Sequence, residues 1–198
     1  MEFIKAVRRK EKRKMSSCDS VSEENKMPLP YIFEENGYRF ISYTELADAD
    51  HAEIIEKRNE YRNLAHNTAL LTMEGHLGFV GKLKNMPDRM YFAVRNAGNI
   101  QIFSINIQNI DRKLKSCEWG FFKIEKCDSR DVLRSFVRYL FEKSFIETIT
   151  GCVKVDNVKS HLIHAALGFE AEQELNRDGE KVYILKKRRF KEVDNAQT

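Results

Sequence analysis

Asn157 and His164 are the side chains whose type and setting most invite chemistry. Thr148 to Val155, just before them, is rich in β-branched residues and reads as a strand. Asp156 or Asn157 is a good helix N-cap. Val158, Leu162, Ile163, Ala166 and Leu167 then mark one helical face. Gly168 stands where a left-handed helix stop is expected, and Phe169 opens the next strand. A strand that feeds a short helix, with asparagine at its start and histidine in its body, is a platform for a ligand. A histidine whose ordinary pKa is near 6.5 can act as acid and as base at neutral pH. The same histidine can also be a helix-face residue hydrogen-bonded to backbone, and spacing alone leaves both readings open.

The remaining reactive residue types are dispersed. His51, His66, His76 and His161 lack metal-ligand spacing, so no metal is expected. Cys18, Cys117, Cys127 and Cys152 form no metal or C-x-x-C pattern, a usage that fits a reducing cytoplasm. The net charge of +4 is unevenly placed. Residues 1–14 carry seven Lys and Arg against two Glu, and beyond them 27 basic residues meet 28 acidic ones. The body of the chain is therefore not a strongly basic nucleic-acid binder. No stretch approaches the roughly 18 apolar residues of a membrane span.

The elements that must position the opening stretch fall into one domain over residues 29–191. A basic, polar tail (1–28) precedes it, and a polar tail (192–198) follows. Asn36-Gly37 between apolar runs predicts a hairpin over 31–43. A helix is expected over 46–66, with Ile54, Ile55, Tyr61 and Leu64 on one face. A second is expected over 73–85, capped by Thr72 with Leu77, Val80 and Leu83 inward, and ended by Asn85-Met86-Pro87-Asp88. Met90–Arg95, Ile100–Ile107 and Ser116–Lys123 read as an antiparallel meander with turns at 96–99 and 109–113. Val132, Leu133, Phe136, Val137, Leu140 and Phe141 give the clearest helical period, over 129–145. The strand and helix of the opening stretch follow. A last hairpin, 169–187, turns at Asn176-Arg177-Asp178-Gly179. The order implies an α+β fold with a mixed sheet.

Asp156-Asn157-Val158-Lys159-Ser160, followed by Leu167-Gly168-Phe169, resembles the Asn-x-x-(Ala/Ser)…Gly-Phe motif of the GNAT superfamily of N-acetyltransferases. Glu118-Trp119-Gly120-Phe121 is similar to that family's Glu-x-Gly strand. Arg58-Asn59, His76-Leu77-Gly78-Phe79-Val80, Tyr91-Phe92-Ala93-Val94 and Ser104-Ile105-Asn106 resemble the branch that acetylates amino-sugar nucleotides, as in pseudaminic acid biosynthesis. The resemblance covers residues 37–187. It implies a mixed, mostly antiparallel central sheet flanked by helices, with two splayed parallel strands forming a CoA cleft.

The same resemblance implies acetyl-CoA as co-substrate and acyltransferase chemistry on a primary amine. Glu118 would be the base, and His164, where the family usually has tyrosine, the acid for the departing thiolate. Phe121, Phe122 and Lys123 would run along the pantetheine, with a backbone N–H there steadying the oxyanion. Asn157 and Ser160 would contact the same arm. Lys126, Ser129 and Arg130 would hold the pyrophosphate, Ser129 as helix cap and the two cations as neutralisers. His66 and Asn67 would lie by the acceptor. The expected partners are a small-molecule amine, a nucleotide-linked amino sugar being the first choice, and a second copy of the chain in a homodimer. In one respect the chain departs from the family. Its loop has no glycine between Gly120 and Gly151, where the family places glycines so that backbone can approach the phosphates. That departure keeps a second reading open, a degenerate GNAT domain that binds acyl-CoA or a protein without catalysis. Protein N-terminal acetylation is a third.

Overall fold

The computed structural model describes residues 28–64 and 67–190. The described residues form eight strands and four α-helices. The strands are β1 (Ile32–Glu35), β2 (Tyr38–Ser42), β3 (Met90–Arg95), β4 (Gln101–Asp111), β5 (Ser116–Lys123), β6 (Thr148–Lys154), β7 (Glu170–Arg177) and β8 (Glu180–Arg188). The helices are α1 (Asp48–Glu60), α2 (Met73–Leu83), α3 (Ser129–Lys143) and α4 (Val158–Ala166). One sheet takes all eight strands in the order β1-β2-β3-β4-β5-β6-β8-β7. Every neighbouring pair is antiparallel except β5 and β6. This is the expected α+β architecture, and no helix among the described residues is long and apolar enough to cross a membrane.

Local chemistry accounts for the corners. Asn36 and Gly37 both have positive φ (51° and 76°), as do Asp178 and Gly179 (54° and 83°). Two such residues make the tight turn whose twist matches antiparallel strands. Alternation along the strands then splits the core. Phe92 and Val94 on β3 join Phe33, Phe40, Phe136 and Leu140 on the face covered by α3. Ala93, between them, packs with Tyr43, Ile54, Val80 and Leu83 on the face covered by α1 and α2. Leu167, after α4, belongs to the α3 side.

The structure corrects several boundaries. The first helix ends at Glu60, and a 3-10 turn at Arg62–Leu64 follows, so Leu64 is off the helix and exposed. Strand β4 continues through 109–111, because a register shift near Gln108 absorbs Asn109 in a positive-φ conformation. The turn comes later, where the Asp111 carboxylate accepts from the backbone N–H groups of Lys113 and Leu114 (2.8 Å each). Asp128, not Ser129, caps α3, accepting from Arg130 N at 3.0 Å. On α4 the inward residues are Ile163 and His164, with Leu167 just past its end, while Val158 and Leu162 face outward. The expected apolar face was thus rotated by part of a turn. The basic segment 1–14, His66 and the tail 192–198 lie outside the described residues.

Candidate functional site

The parallel ladder between β5 and β6 is short. It pairs Ser116 with Thr148, Cys117 with Ile149, Glu118 with Thr150 and Trp119 with Gly151, and ends there. Beyond that point Gly120–Lys123 stay with β4, and Cys152–Lys154 stay with β8. The two strands therefore part in the middle of the sheet and leave backbone groups of each facing a gap. A cavity of about 500 Å³ opens at this gap, walled by Trp119–Phe122 on one side and by Cys152, Asn157, Ser160 and His164 on the other.

On the α1/α2 side the cavity is polar. Glu118 Oε1 accepts from Gln108 Nε2 (3.0 Å), and its Oε2 accepts from Asn109 Nδ2 (3.3 Å) and lies 3.5 Å from Arg177 Nη1. Tyr91 donates to Gln108 Oε1 at 3.3 Å, so a chain of polar groups runs from the cavity wall to the carboxylate. Arg58 also lines this side. Its Nη2 donates to Asn67 O, which anchors the loop leading to α2, but its Nη1 is buried without a partner. Among the described residues no carboxylate forms an ion pair with it, and burial pulls its pKa down. Asn59 holds the same loop with a two-way clamp on Leu71, donating to its O (3.0 Å) and accepting from its N (2.8 Å).

A buried cluster beneath this wall was missed from sequence. His51 Nδ1 and His76 Nε2 are 3.0 Å apart, and Tyr43 packs against both rings while its hydroxyl meets Ser104 Oγ at 2.6 Å. Burial, then the neighbouring His51, pushes His76 down to about 4, and burial raises Tyr43. The signal was present: His51, Ile54 and Arg58 recur at i, i+3, i+7, which puts all three on one inward face of α1.

Of the expected site residues, Glu118, Phe121, Phe122, Asn157, Ser160 and His164 all border the cavity. Asn157 caps α4, its Oδ1 accepting from Ser160 N at 3.1 Å. Lys123, Lys126, Ser129 and Arg130 do not line it. In their loop, the N–H groups of Ile124 and Glu125 both donate to Ile102 O, and the Asp128 carboxylate sits on the first turn of α3. A carboxylate at a helix N-terminus occupies the place a phosphate would favour.

His164 is buried and its hydrogen bonds define its state. Indole N–H only donates, so Trp119 Nε1 (3.1 Å) donates to His164 Nε2. The ring proton is then on Nδ1, which donates to Ser160 O at 2.8 Å. Burial pushes the pKa down to about 4. At neutral pH the ring is uncharged, with both nitrogens engaged. His164 is the residue expected to protonate the departing thiolate; here its Nδ1 proton is on Ser160 O and its Nε2 accepts from Trp119.

No family model matches the chain, and no curated protein matches it by sequence. Solved structures do resemble it. The N-acetyltransferase PseH of Campylobacter jejuni aligns with a TM-score of 0.62 at 21% identity, over 78% of this chain and 99% of that one. Spermidine N-acetyltransferase from Vibrio cholerae, solved with CoA and spermine, gives 0.67 at 16% identity over 77% and 95%. The ribosomal-protein-S5-alanine acetyltransferase from Vibrio fischeri gives 0.61 at 20% identity over 85% and 100%. With the β5/β6 parting and the flanking helices, these likenesses establish that the chain has the fold of the GNAT N-acetyltransferases.

Proposed function

We propose that the protein is an acetyl-CoA-dependent N-acetyltransferase acting on a primary amine, with a nucleotide-linked amino sugar as acceptor. The observation that carries this is the parting of β5 and β6 at Trp119 and Gly151, at a cavity whose acceptor side presents Glu118. The gap supports the pantetheine arm of the acyl donor along Phe121–Lys123, with Asn157 and Ser160 on the opposite wall. Lys126 and Arg130 supply positive charge for the diphosphate, with Ser129 beside them, in place of glycine amides. The amine attacks the thioester carbonyl carbon, the new C–N bond forms, and the C–S bond breaks. Glu118 takes the amine's proton through water. A backbone N–H of the 121–123 segment steadies the oxyanion. The thiolate leaves without help from His164. Once the nitrogen has lost its proton, a thiolate is the better leaving group of the two, so the C–S bond breaks.

The acceptor assignment rests on Arg58. A cation with a buried, unpartnered nitrogen in the acceptor wall favours a substrate carrying phosphate and disfavours a polycation. Thermal shift with acetyl-CoA and with CoA tests the donor, and thiol release with an amino-sugar nucleotide, a polyamine and an N-terminal peptide tests the acceptor. Absence of a shift with either CoA form overturns the donor assignment. Faster turnover of the polyamine or the peptide overturns the acceptor assignment. The Asp128 carboxylate at the start of α3 favours a second reading, a domain that binds an acyl-CoA weakly and does no chemistry. A thermal shift with no thiol release from any amine supports that one.

A further inference from the structure

Gly151 is the last β6 residue paired with β5, and its partner there is Trp119. A Cβ at Gly151 would lie 2.5 Å from His164 Nε2 and 3.2 Å from Trp119 Nε1. The hydrogen bond between those two nitrogens therefore lies directly on the glycine's backbone, at the step where the ladder ends. Each partner of the bond is itself fixed. Trp119 stacks on Phe169 with centroids 5.0 Å apart and planes within 5°. His164 stands edge-on to the same ring at 4.9 Å, and Phe121 packs against both. Trp119 belongs to β5, whereas His164 rides on α4, which follows directly from β6. The bond thus ties one wall of the gap to the other at a single point. No residue larger than glycine fits at 151 while it is made.

We infer that Trp119, His164 and Gly151 form a peg that fixes where β5 and β6 part, and that Trp119 and His164 are positioning residues for the acyl-donor slot. Its consequence for CoA rests on the proposed function; the peg itself is a property of the ligand-free fold. Breaking the bond leaves a buried indole N–H without an acceptor and frees α4 to shift against β5. Adding a methyl at 151 drives the imidazole off the indole from the other side.

Trp119 is the chain's one tryptophan, so its emission reports the peg directly. The test compares full-length wild type with His164→Phe, which removes the acceptor, Gly151→Ala, which displaces it, and His164→Gln, which returns an acceptor to the same region. A core variant on α3, Leu133→Ala, is destabilised while Trp119, His164 and Gly151 are left unchanged. Emission, amide hydrogen exchange at 120–123 and 152–154, and the CoA Kd by calorimetry are measured for each. The expected result is a blue-shifted Trp119 emission and faster exchange in those two segments for His164→Phe and Gly151→Ala. Both should weaken CoA by about tenfold or more. His164→Gln should restore both properties, and Leu133→Ala should change neither. Wild-type emission and exchange in folded His164→Phe would overturn the peg. So would Leu133→Ala moving these readouts as far. Should Gly151→Ala fail to fold, the His164→Phe and His164→Gln pair decides the matter alone. Should wild type bind no CoA, the donor assignment falls, and emission and exchange still judge the peg.

Discussion

Replacing Glu118 with glutamine separates catalysis from stability. An alkylamine with a pKa near 10.4 is free of its proton in roughly one molecule in 2,500 at pH 7. Removing that proton is therefore most of what the protein must do for the nucleophile. Glu118 is the cavity carboxylate placed to do it, with Gln108, Asn109 and Arg177 holding it in position. Its side chain keeps 17% of its exposure, so water reaches it. In Glu118→Gln the amide oxygen still accepts from Gln108, but the new NH2 faces the donors of Asn109 and Arg177. One mismatched polar contact of this kind costs about 1 kcal/mol of stability. Loss of a general base costs on the order of 100- to 10,000-fold in rate, which is about 3–5 kcal/mol of barrier. The expected pattern is a small drop in Tm, an unchanged CoA Kd, and kcat down at least about 100-fold at pH 7. The deficit should shrink as pH rises and free amine becomes abundant. The assay is thiol release across pH 6–10 with a saturating acyl donor. A variant within threefold of wild-type kcat at pH 7, or a deficit that does not narrow with pH, refutes the base assignment.

Arg58→Met should raise the KM for an anionic acceptor by about 10- to 100-fold, the worth of one charge-assisted hydrogen bond, while leaving CoA affinity alone. An unchanged KM would remove Arg58 from the acceptor site. Because the donor's phosphates would be held by side-chain charge in a glycine-free loop, CoA affinity should fall as salt rises from 50 to 500 mM. Asp128→Ala should tighten CoA by removing a like charge, yet cost about 1 kcal/mol of stability through the lost cap. Calorimetry showing salt-independent binding would argue that backbone amides do the holding. For pH, His164 has a folded pKa near 4, below its unfolded value of 6.5. The unfolded chain therefore binds the extra proton first, and stability falls as pH drops from about 6.5 toward 4. The loss is about 3 kcal/mol for this residue and is complete below that window. Denaturant melts at pH 7 and pH 4.5 check it, and His164→Gln should make the drop smaller by about that amount, the remainder coming from His76, which is pushed down to about 4 as well.

What could be read from the chain alone follows a physical divide. Asn36-Gly37 and Asp178-Gly179 were legible because positive φ narrows the choice of residue. The period of α3 was legible because five apolar positions share one buried face, with Phe141 packed at its edge. The Asn157 cap was legible because its bond to Ser160 is local. Where competing local signals had to be weighed by tertiary contacts, the reading slipped. Val158 and Leu162 are apolar and were placed inward, but the polar His164 holds the buried position because Trp119, far away in sequence, satisfies it. Asn109 carries a turn signal, yet β4 runs through it because β5 continues alongside. The polar wall of the cavity joins Arg58, His76, Tyr91, Ser104 and Glu118 from five separate elements. No spacing rule reaches that far.

The departures from the family pattern bear on one another. A histidine where tyrosine is usual would be a poor exchange if the site needed an acid for sulfur, because its Nδ1 proton is on Ser160 O and its Nε2 accepts from Trp119. Breakdown of a tetrahedral adduct between an amine and a thioester depends first on the nitrogen's proton. Once the nitrogen is neutral it is a far worse leaving group than a thiolate, so the C–S bond breaks without a donor on sulfur. A site organised around Glu118 can therefore spare the acid and use the residue that replaced it as structure. Gly151 is consistent with that division, since the space a side chain would take is filled by the Trp119–His164 bond. If His164 were still the acid, kcat should fall along a pKa near 4 in wild type and fail to recover in His164→Gln. If it is structure, kcat should follow the Glu118-dependent deprotonation of the amine, and His164→Gln should keep the wild-type pH profile.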